Sequence, residues 1–295
     1  MNYIGIDGGG TKTLFRLSDE NLNTIKEIEL GTSHFGQVGY GRMKEILQQG
    51  INGLLNYSSN ETVLSFGLAG YGEVAEIRRN IEEVIKDVAA EHKYVLHNDS
   101  QIAAFGALGG KEGIVMIAGT GSIAVAYKNG KWYRRGGFGY LIDDGGSAYD
   151  IGKKALKMYA RMSEDMMEKD VLFDLITAHY SLSEPADLIR VMFDHVQTVR
   201  TKTAELAGLV YEASLAGSQT AERLFREAAL EHSVYIKSLK ELFDREVPIS
   251  YIGGVYRAGD KILKPLESQG ILMQHPVYDS CAGAVLLGKE TFCKS

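Results

Sequence analysis

Two apolar runs about 112 positions apart each break into a bare glycine turn and then resume as a returning strand. The first is Tyr3-Ile4-Gly5-Ile6-Asp7-Gly8-Gly9-Gly10-Thr11-Lys12-Thr13-Leu14-Phe15-Arg16-Leu17. The second runs from Gly113 to Ala118, turns at Gly119-Thr120-Gly121-Ser122, and returns through Ile123 to Tyr127. Alternating apolar residues around each turn predict strand, tip and strand, and Asn129-Gly130 after the second run predicts a further hairpin. A repeat of this kind predicts a diverged duplication, two domains each opening with a hairpin whose tip faces a common cleft.

Glycines at such a tip let backbone N–H groups converge on a ligand, which suits phosphate, while Asp7 can hold a hydrated Mg²⁺ beside it. Three rival readings compete. A P-loop needs Lys after its last glycine, but after Gly5 and Gly10 that place holds Thr11. Gly119, Gly121 and Ala124 fit a dinucleotide fingerprint, yet that pattern must open a helix, and here a strand follows. An ordinary hairpin turn explains either glycine cluster alone. The pair together favours two phosphate turns opposed on one triphosphate.

The chain has 295 residues, is 45% hydrophobic and carries a net charge of −6, enough for two domains and unfavourable for nonspecific nucleic-acid binding. No stretch has the length of a membrane span and no basic-then-apolar targeting segment opens the chain, so a cytoplasmic protein with small-molecule partners is expected. Cys281 and Cys293 have no metal-ligand spacing and read as structural or incidental thiols.

Along the chain, Thr24 to Leu30 alternates as a third strand. Gly31 to Gly36 is a small-residue loop, either plain surface or a substrate loop using Ser33 and His34. Met43 to Leu55 and Ile77 to Ala89 have helical periodicity, and Val63 to Leu68 reads as a buried strand. Tyr94 to Ser100 is a strand delivering Asp99 at its carboxyl end, where α/β sheets collect ligands; Asp99 could equally be a helix N-cap. Gly136 to Gly152 flanks the Asp143-Asp144 pair with glycines and leads into a helix from about Ser147. Either Asp144 or Ser147 caps that helix, or the loop wraps a polar ligand against Phe138 with Asp144 accepting hydroxyl hydrogen bonds. The chain to Phe243 is helical, with a cap at Ser183-Glu184-Pro185-Ala186. Val247 to Val255 is a strand running into Gly253-Gly254, and Asp279 to Leu287 is a last helix.

Five segments in order, Asp7 to Thr13, Asn98-Asp99, Gly119 to Ser122, Gly136 to Tyr149 and Gly253 to Val255, resemble the sugar kinase, actin and Hsp70 superfamily over nearly the whole length. Within it the chain resembles the BadF/BadG/BcrA/BcrD group, and among those the N-acetylglucosamine kinases. That resemblance implies two ribonuclease H-like, actin-like α/β domains with a nucleotide cleft between them: residues 1–110 with a returning helix at 281–295, and 111–280 with a helical insertion. It implies ATP and Mg²⁺ as cofactors, an amino-sugar substrate and a possible homodimer.

By position the resemblance puts Asp7, Gly8, Gly9, Gly10, Thr11 and Lys12, with Gly119, Thr120 and Gly121, at the phosphates, Mg²⁺ sitting near Asp7 through water. It puts Ala204, Gly253, Gly254 and Arg257 around the nucleoside. Asp99 matches the family's catalytic base. Ser122, Gly137, Phe138, Gly139 and Asp144 match the sugar side, with Ser33 in place of a usual asparagine, Phe138 in place of a frequent tryptophan, and Gly145 in place of a frequent acid; His34 joins them from the loop reading alone. The implied activity is ATP-dependent phosphorylation of a primary hydroxyl, O6, of an amino sugar such as N-acetylglucosamine, N-acetylmuramic acid or glucosamine. The alternative is a nucleotide-operated switch or activator. The group's iron–sulfur activators need cluster-ligating cysteines, and residues 100–180 contain none.

Overall fold

The computed structural model describes residues 1–58, 60–72, 74–194 and 199–292; Cys293 lies outside the described residues. In chain order the elements are β1 (Asn2–Gly8), β2 (Lys12–Ser18), β3 (Thr24–Gly31), α1 (Phe35–Leu55), β4 (Thr62–Leu68), α2 (Ala75–Ala89), β5 (Tyr94–Asn98), α3 (Asp99–Ala107), β6 (Gly113–Ala118), β7 (Ser122–Lys128) and β8 (Lys131–Gly136). There follow α4 (Ala148–Ser163), α5 (Val171–His179), α6 (Asp187–Asp194), α7 (Val199–Leu215), α8 (Gln219–Lys240), β9 (Ile249–Ile252), a 3-10 turn (Gly254–Ala258), α9 (Asp260–Glu267) and α10 (Ser280–Phe292). They group into two compact units: Met1–Gly113, Asn129–Trp132 and His275–Ser295 form one, Ile114–Lys128 and Tyr133–Gln274 the other.

The first unit is built on a sheet of order β3-β2-β1-β4-β5, with β1 antiparallel to β2 and parallel to β4, and β4 parallel to β5. The period-2 alternation of β1 sends its side chains to opposite faces. Ile4 and Ile6 join the core made with α1 and α2, whereas Tyr3 packs with Val63 and with Val285 of α10. A Cβ on Gly5 would stand 2.4 Å from the Cys281 carbonyl oxygen, so α10 covers that face closely. Asp7 shares the face of Tyr3 and Gly5. Below it α10 and α3 touch backbone to backbone, since a Cβ on Gly283 would fall 1.9 Å from the Ile102 carbonyl oxygen.

The second unit repeats the plan with a sheet of order β8-β7-β6-β9, β6 parallel to β9. In both sheets the opening strand pairs with its returning strand on one side and a parallel strand on the other, as a duplication requires. The core joins Ile114, Met116 and Ala118 of β6 to Ile151, Ala155 and Tyr159 of α4, Val210 and Ala213 of α7, and Phe225, Ala228 and Ile236 of α8.

Some elements differ from the pattern reading. Helix α1 begins at Phe35 rather than Met43 and passes through Gly39 at φ 76°, a break that blurs the early periodicity. Strand β9 holds only Ile249–Ile252, because Gly253 takes φ 111° and turns the chain out of the ladder. Pro185 does not start a helix: Asp187 does, its carboxylate accepting from the Ser183 and Glu184 N–H groups. Among the described residues no helix is long and apolar enough to cross a membrane.

Candidate active site

Each unit presents a glycine turn with polar side chains around it. In the first, the Gly9 N–H donates to the Lys12 carbonyl at 3.0 Å and closes the tip. The Gly9 carbonyl accepts from Thr32 Oγ1 at 2.9 Å, and the Gly10 carbonyl accepts from Gln37 Nε2 at 2.7 Å. In a trans peptide the following N–H points opposite the carbonyl, so these two bonds aim the Gly10 and Thr11 N–H groups away from Thr32 and Gln37, as an anion nest needs. Gly8 is glycine for packing: a Cβ there would meet Leu68 Cδ2 at 2.6 Å and Ser33 Oγ at 2.8 Å.

Two carboxylates stand beside this turn. In strand register Asp7 lies opposite Gly67, and Gly67 opposite His97, so Asp7, next to last in β1, and Asp99, just past the end of β5, flank β4 with no side chain from Gly67 between them. Burial, then the charge of Asp99, hold the Asp7 carboxyl up at about 6. Asp99 is also raised, by burial, with a bond from the Ser100 N–H and the charge of His34 opposing it.

Asp99 is not the cap of its helix. Asn98 is, its Oδ1 accepting from the Ser100 N–H at 3.0 Å while Gln101 Oε1 accepts from the Asn98 N–H, a capping box. Ser33 is 2% exposed, and its hydroxyl accepts from Thr13 Oγ1 at 3.0 Å. His34 stacks on Phe35 at 5.1 Å, and its Nδ1 is buried with no hydrogen-bond partner. Lys12 runs away from the turn to Glu29 of β3, 2.5 Å away, both exposed. Cys281 is buried beside Asp7 and Asp279, and burial first, then the Asp7 charge, raises its thiol.

In the second unit the Gly119 N–H donates to the Gly121 carbonyl at 2.9 Å, and the Gly119 carbonyl accepts from the Ala148 N–H at 2.8 Å. Gly253 packs on this turn, since a Cβ there would fall 2.2 Å from the Ala118 carbonyl oxygen. Gly254 and Arg257 follow in the exposed part of the 3-10 turn, and Ala204 lies on α7.

The loop from Gly136 to Gly146 is pinned along its length. Ser122 Oγ donates to the Gly145 carbonyl at 2.8 Å, and the Phe138 N–H donates to Asp143 Oδ2 at 3.0 Å. Asp143 Oδ1 accepts from the Tyr235 hydroxyl at 2.5 Å; burial pushes that carboxyl up, but the bonds from Tyr235 and Phe138 outweigh it and hold it below the usual range. Gly137 and Gly139 take φ 75° and 94°, which leaves Phe138 70% exposed with the Arg134 guanidinium 4.9 Å from its ring centroid. Asp144 is 3% exposed at φ 63°; burial raises its carboxyl, while the Ser122 N–H and Arg200 oppose that shift. Ser147, not Asp144, caps α4.

Thus Asp7, Gly8, Gly9, Gly10, Thr11, Ser33, His34 and Asp99 gather in the first unit, with Lys12 turned aside. Gly119, Thr120, Gly121, Ser122, Gly137, Phe138, Gly139, Asp144, Gly253 and Gly254 gather in the second. Sequence patterns missed Arg200, whose Nη2 reaches Asp144 Oδ2 at 3.2 Å from 56 positions on. They also missed His232, whose Nε2 donates to the Gly146 carbonyl at 3.1 Å and whose Nδ1 faces the Tyr256 hydroxyl at 3.1 Å. Both sit in helical stretches where no local motif marks them.

The sequence profile of the BadF/BadG/BcrA/BcrD ATPase family matches residues 4–288. The chain belongs to the BadF/BadG/BcrA/BcrD ATPase family. An N-acetylmuramic acid/N-acetylglucosamine kinase of Clostridium acetobutylicum is 33% identical over 264 residues, 86% of each chain. An N-acetyl-D-glucosamine kinase of Dictyostelium discoideum is 28% identical over 313 positions, covering 97% of each. A Chromobacterium violaceum crystal structure provisionally named an N-acetylglucosamine kinase superposes with a TM-score of 0.79 at 25% identity, covering 97% of this chain and 98% of that one. This BadF-type protein is an enzyme similar to the N-acetylglucosamine kinases, and its two-sheet α/β architecture is that of the actin-like sugar kinases.

Proposed function

We propose that this enzyme transfers the γ-phosphoryl group of ATP to a primary hydroxyl, O6, of an amino sugar such as N-acetylglucosamine, N-acetylmuramic acid or glucosamine. The observation that carries the reading is Asp99, which follows the end of β5 and the N-cap Asn98 and whose charge acts on Asp7 at the first glycine turn.

Thr11 with its glycines and Thr120 with Gly119 and Gly121 bind the phosphates, and Gly253, Gly254, Arg257 and Ala204 take the nucleoside. Asp144, Ser122, Phe138 and the glycines beside it are assigned to the sugar, as are Ser33 and His34. Asp7 would hold a hydrated Mg²⁺ beside the phosphates through water, and the ion would supply charge neutralisation for the transferring group.

Asp99 orients the acceptor hydroxyl and takes its proton as the oxygen bonds to the γ-phosphorus and the bond to the ADP oxygen breaks; the proton then passes to solvent. The transition state of such transfers is loose, so positioning and charge stabilisation outweigh the base. The test is ADP release with and without a panel of hexosamines. Sugar-dependent ADP with a phosphorylated sugar product supports the kinase; slow release indifferent to every sugar overturns it in favour of a nucleotide switch.

A further inference from the structure

We propose that Arg200 reads the terminal phosphate of the nucleotide and neutralises its charge during transfer, which makes it a catalytic residue of the second unit. The inference rests on the phosphoryl-transfer reading and adds a residue to it.

The second glycine turn, Ala118-Gly119-Thr120-Gly121-Ser122, offers backbone N–H groups but no lysine or arginine of its own. The guanidinium of Arg200 supplies what it lacks. A Cβ built on Gly121 would stand 2.8 Å from Arg200 Nη2, so the cation lies directly on the turn. At the first unit's turn, by contrast, Lys12 is drawn off to Glu29.

Arg200 is also held for the task. Its guanidinium lies 5.2 Å from the Tyr140 ring centroid, and Nη2 reaches Asp144 Oδ2 at 3.2 Å. Asp144 is almost fully buried, whereas the Arg200 side chain is 44% exposed. A guanidinium has five N–H donors, so one contact with Asp144 fixes its position and leaves donors for phosphate oxygens. A cation fixed in advance where charge develops stabilises a transition state without reorganising. Asp144 thereby serves two ligands, receiving the sugar and anchoring the cation.

The rival role is that Arg200 is only the counter-ion of a buried carboxylate. In that case its loss would disturb sugar binding through Asp144 and leave the nucleotide's third phosphate unread. The two roles separate on which constant moves.

The experiment compares wild type, Arg200→Gln and Arg200→Lys in two arms. Titration calorimetry measures ADP and a non-hydrolysable β,γ-imido ATP analogue with Mg²⁺, and steady-state kinetics uses N-acetylglucosamine. Arg200→Gln should weaken the analogue about tenfold or more while moving ADP less than about twofold, and should lower kcat about 100-fold with the sugar KM within about threefold, a moderate loss beside the ~10³–10⁵ of arginine fingers. Arg200→Lys should recover part of kcat and part of the analogue's preference. A raised sugar KM with unchanged kcat and an unchanged ratio of analogue to ADP affinity overturns the proposal. Failure of the amino-sugar reading would appear separately, as wild-type enzyme that makes no ADP with any hexosamine, while the nucleotide arm still decides the role of Arg200.

Discussion

Asn98 caps helix α3, and Asp99, the next residue, shares the Ser100 N–H with it while its charge acts on Asp7 of β1. The Asn98 Nδ2 donates to the Tyr71 carbonyl at 2.6 Å, which ties the cap to the neighbouring loop. Replacing Asp99 by Asn keeps the shape and removes the base. With a general base worth ~10²–10⁴-fold, Asp99→Asn should lower kcat by that order while calorimetry finds ATP affinity nearly unchanged. Wild-type turnover in this variant would remove Asp99 from the mechanism.

Asp144 pairs with Arg200 and is the residue proposed to receive the sugar. Asp144→Ala should raise the sugar KM at least about tenfold, as expected when a charge-assisted hydrogen bond of ~1.5–3 kcal/mol is lost, and should lower kcat through the freed arginine. Separate KM values for sugar and ATP check this: a change confined to ATP would misplace Asp144.

His232 is fully buried, and desolvation drives its pKa down to about 4 against bonds to Gly146 that favour the charged ring. Its folded value lies below the ordinary 6.5, so the unfolded chain binds the extra proton and stability falls as pH drops from about 6.5 through about 4. The full shift corresponds to roughly 3 kcal/mol. Urea unfolding at pH 7 and pH 4.5 should therefore show a smaller acid loss in His232→Gln than in wild type; equal losses would mean that the ring charges in place.

Two glycines carry helix contacts that no larger residue allows. A Cβ at Gly283 would meet the Ile102 carbonyl oxygen at 1.9 Å, and one at Gly152 would meet the Thr203 carbonyl oxygen at 1.9 Å. Backbone cannot yield as a side chain tip can, so each change to alanine should cost at least the ~1–3 kcal/mol typical of overpacking. Thermal melts of Gly283→Ala and Gly152→Ala test the first and second units in turn, and an unchanged Tm would deny the contact.

A period-2 alternation and a glycine break are local, so β1, β2, β6, β7 and the turns between them were legible in the chain itself. The repeated order of the two hairpins likewise announced two similar sheets, and the five ordered segments announced the family. Helix α1 was read short because Gly39 interrupts its register, and β9 was read long because an apolar run continues where Gly253 has already turned the backbone.

What the chain alone determined was therefore the type of each half and the residues at its turns, since glycine geometry and side-chain alternation depend only on near neighbours. Tertiary packing decided the partners. Only the strand order brings Asp7 up against Asp99, only the path of α7 lays Arg200 on Gly121, and only burial of α8 sets His232 beneath Gly146. Those pairings depend on contacts between residues dozens of positions apart, and the electrostatics that tune the carboxylates exist only once those contacts have excluded water.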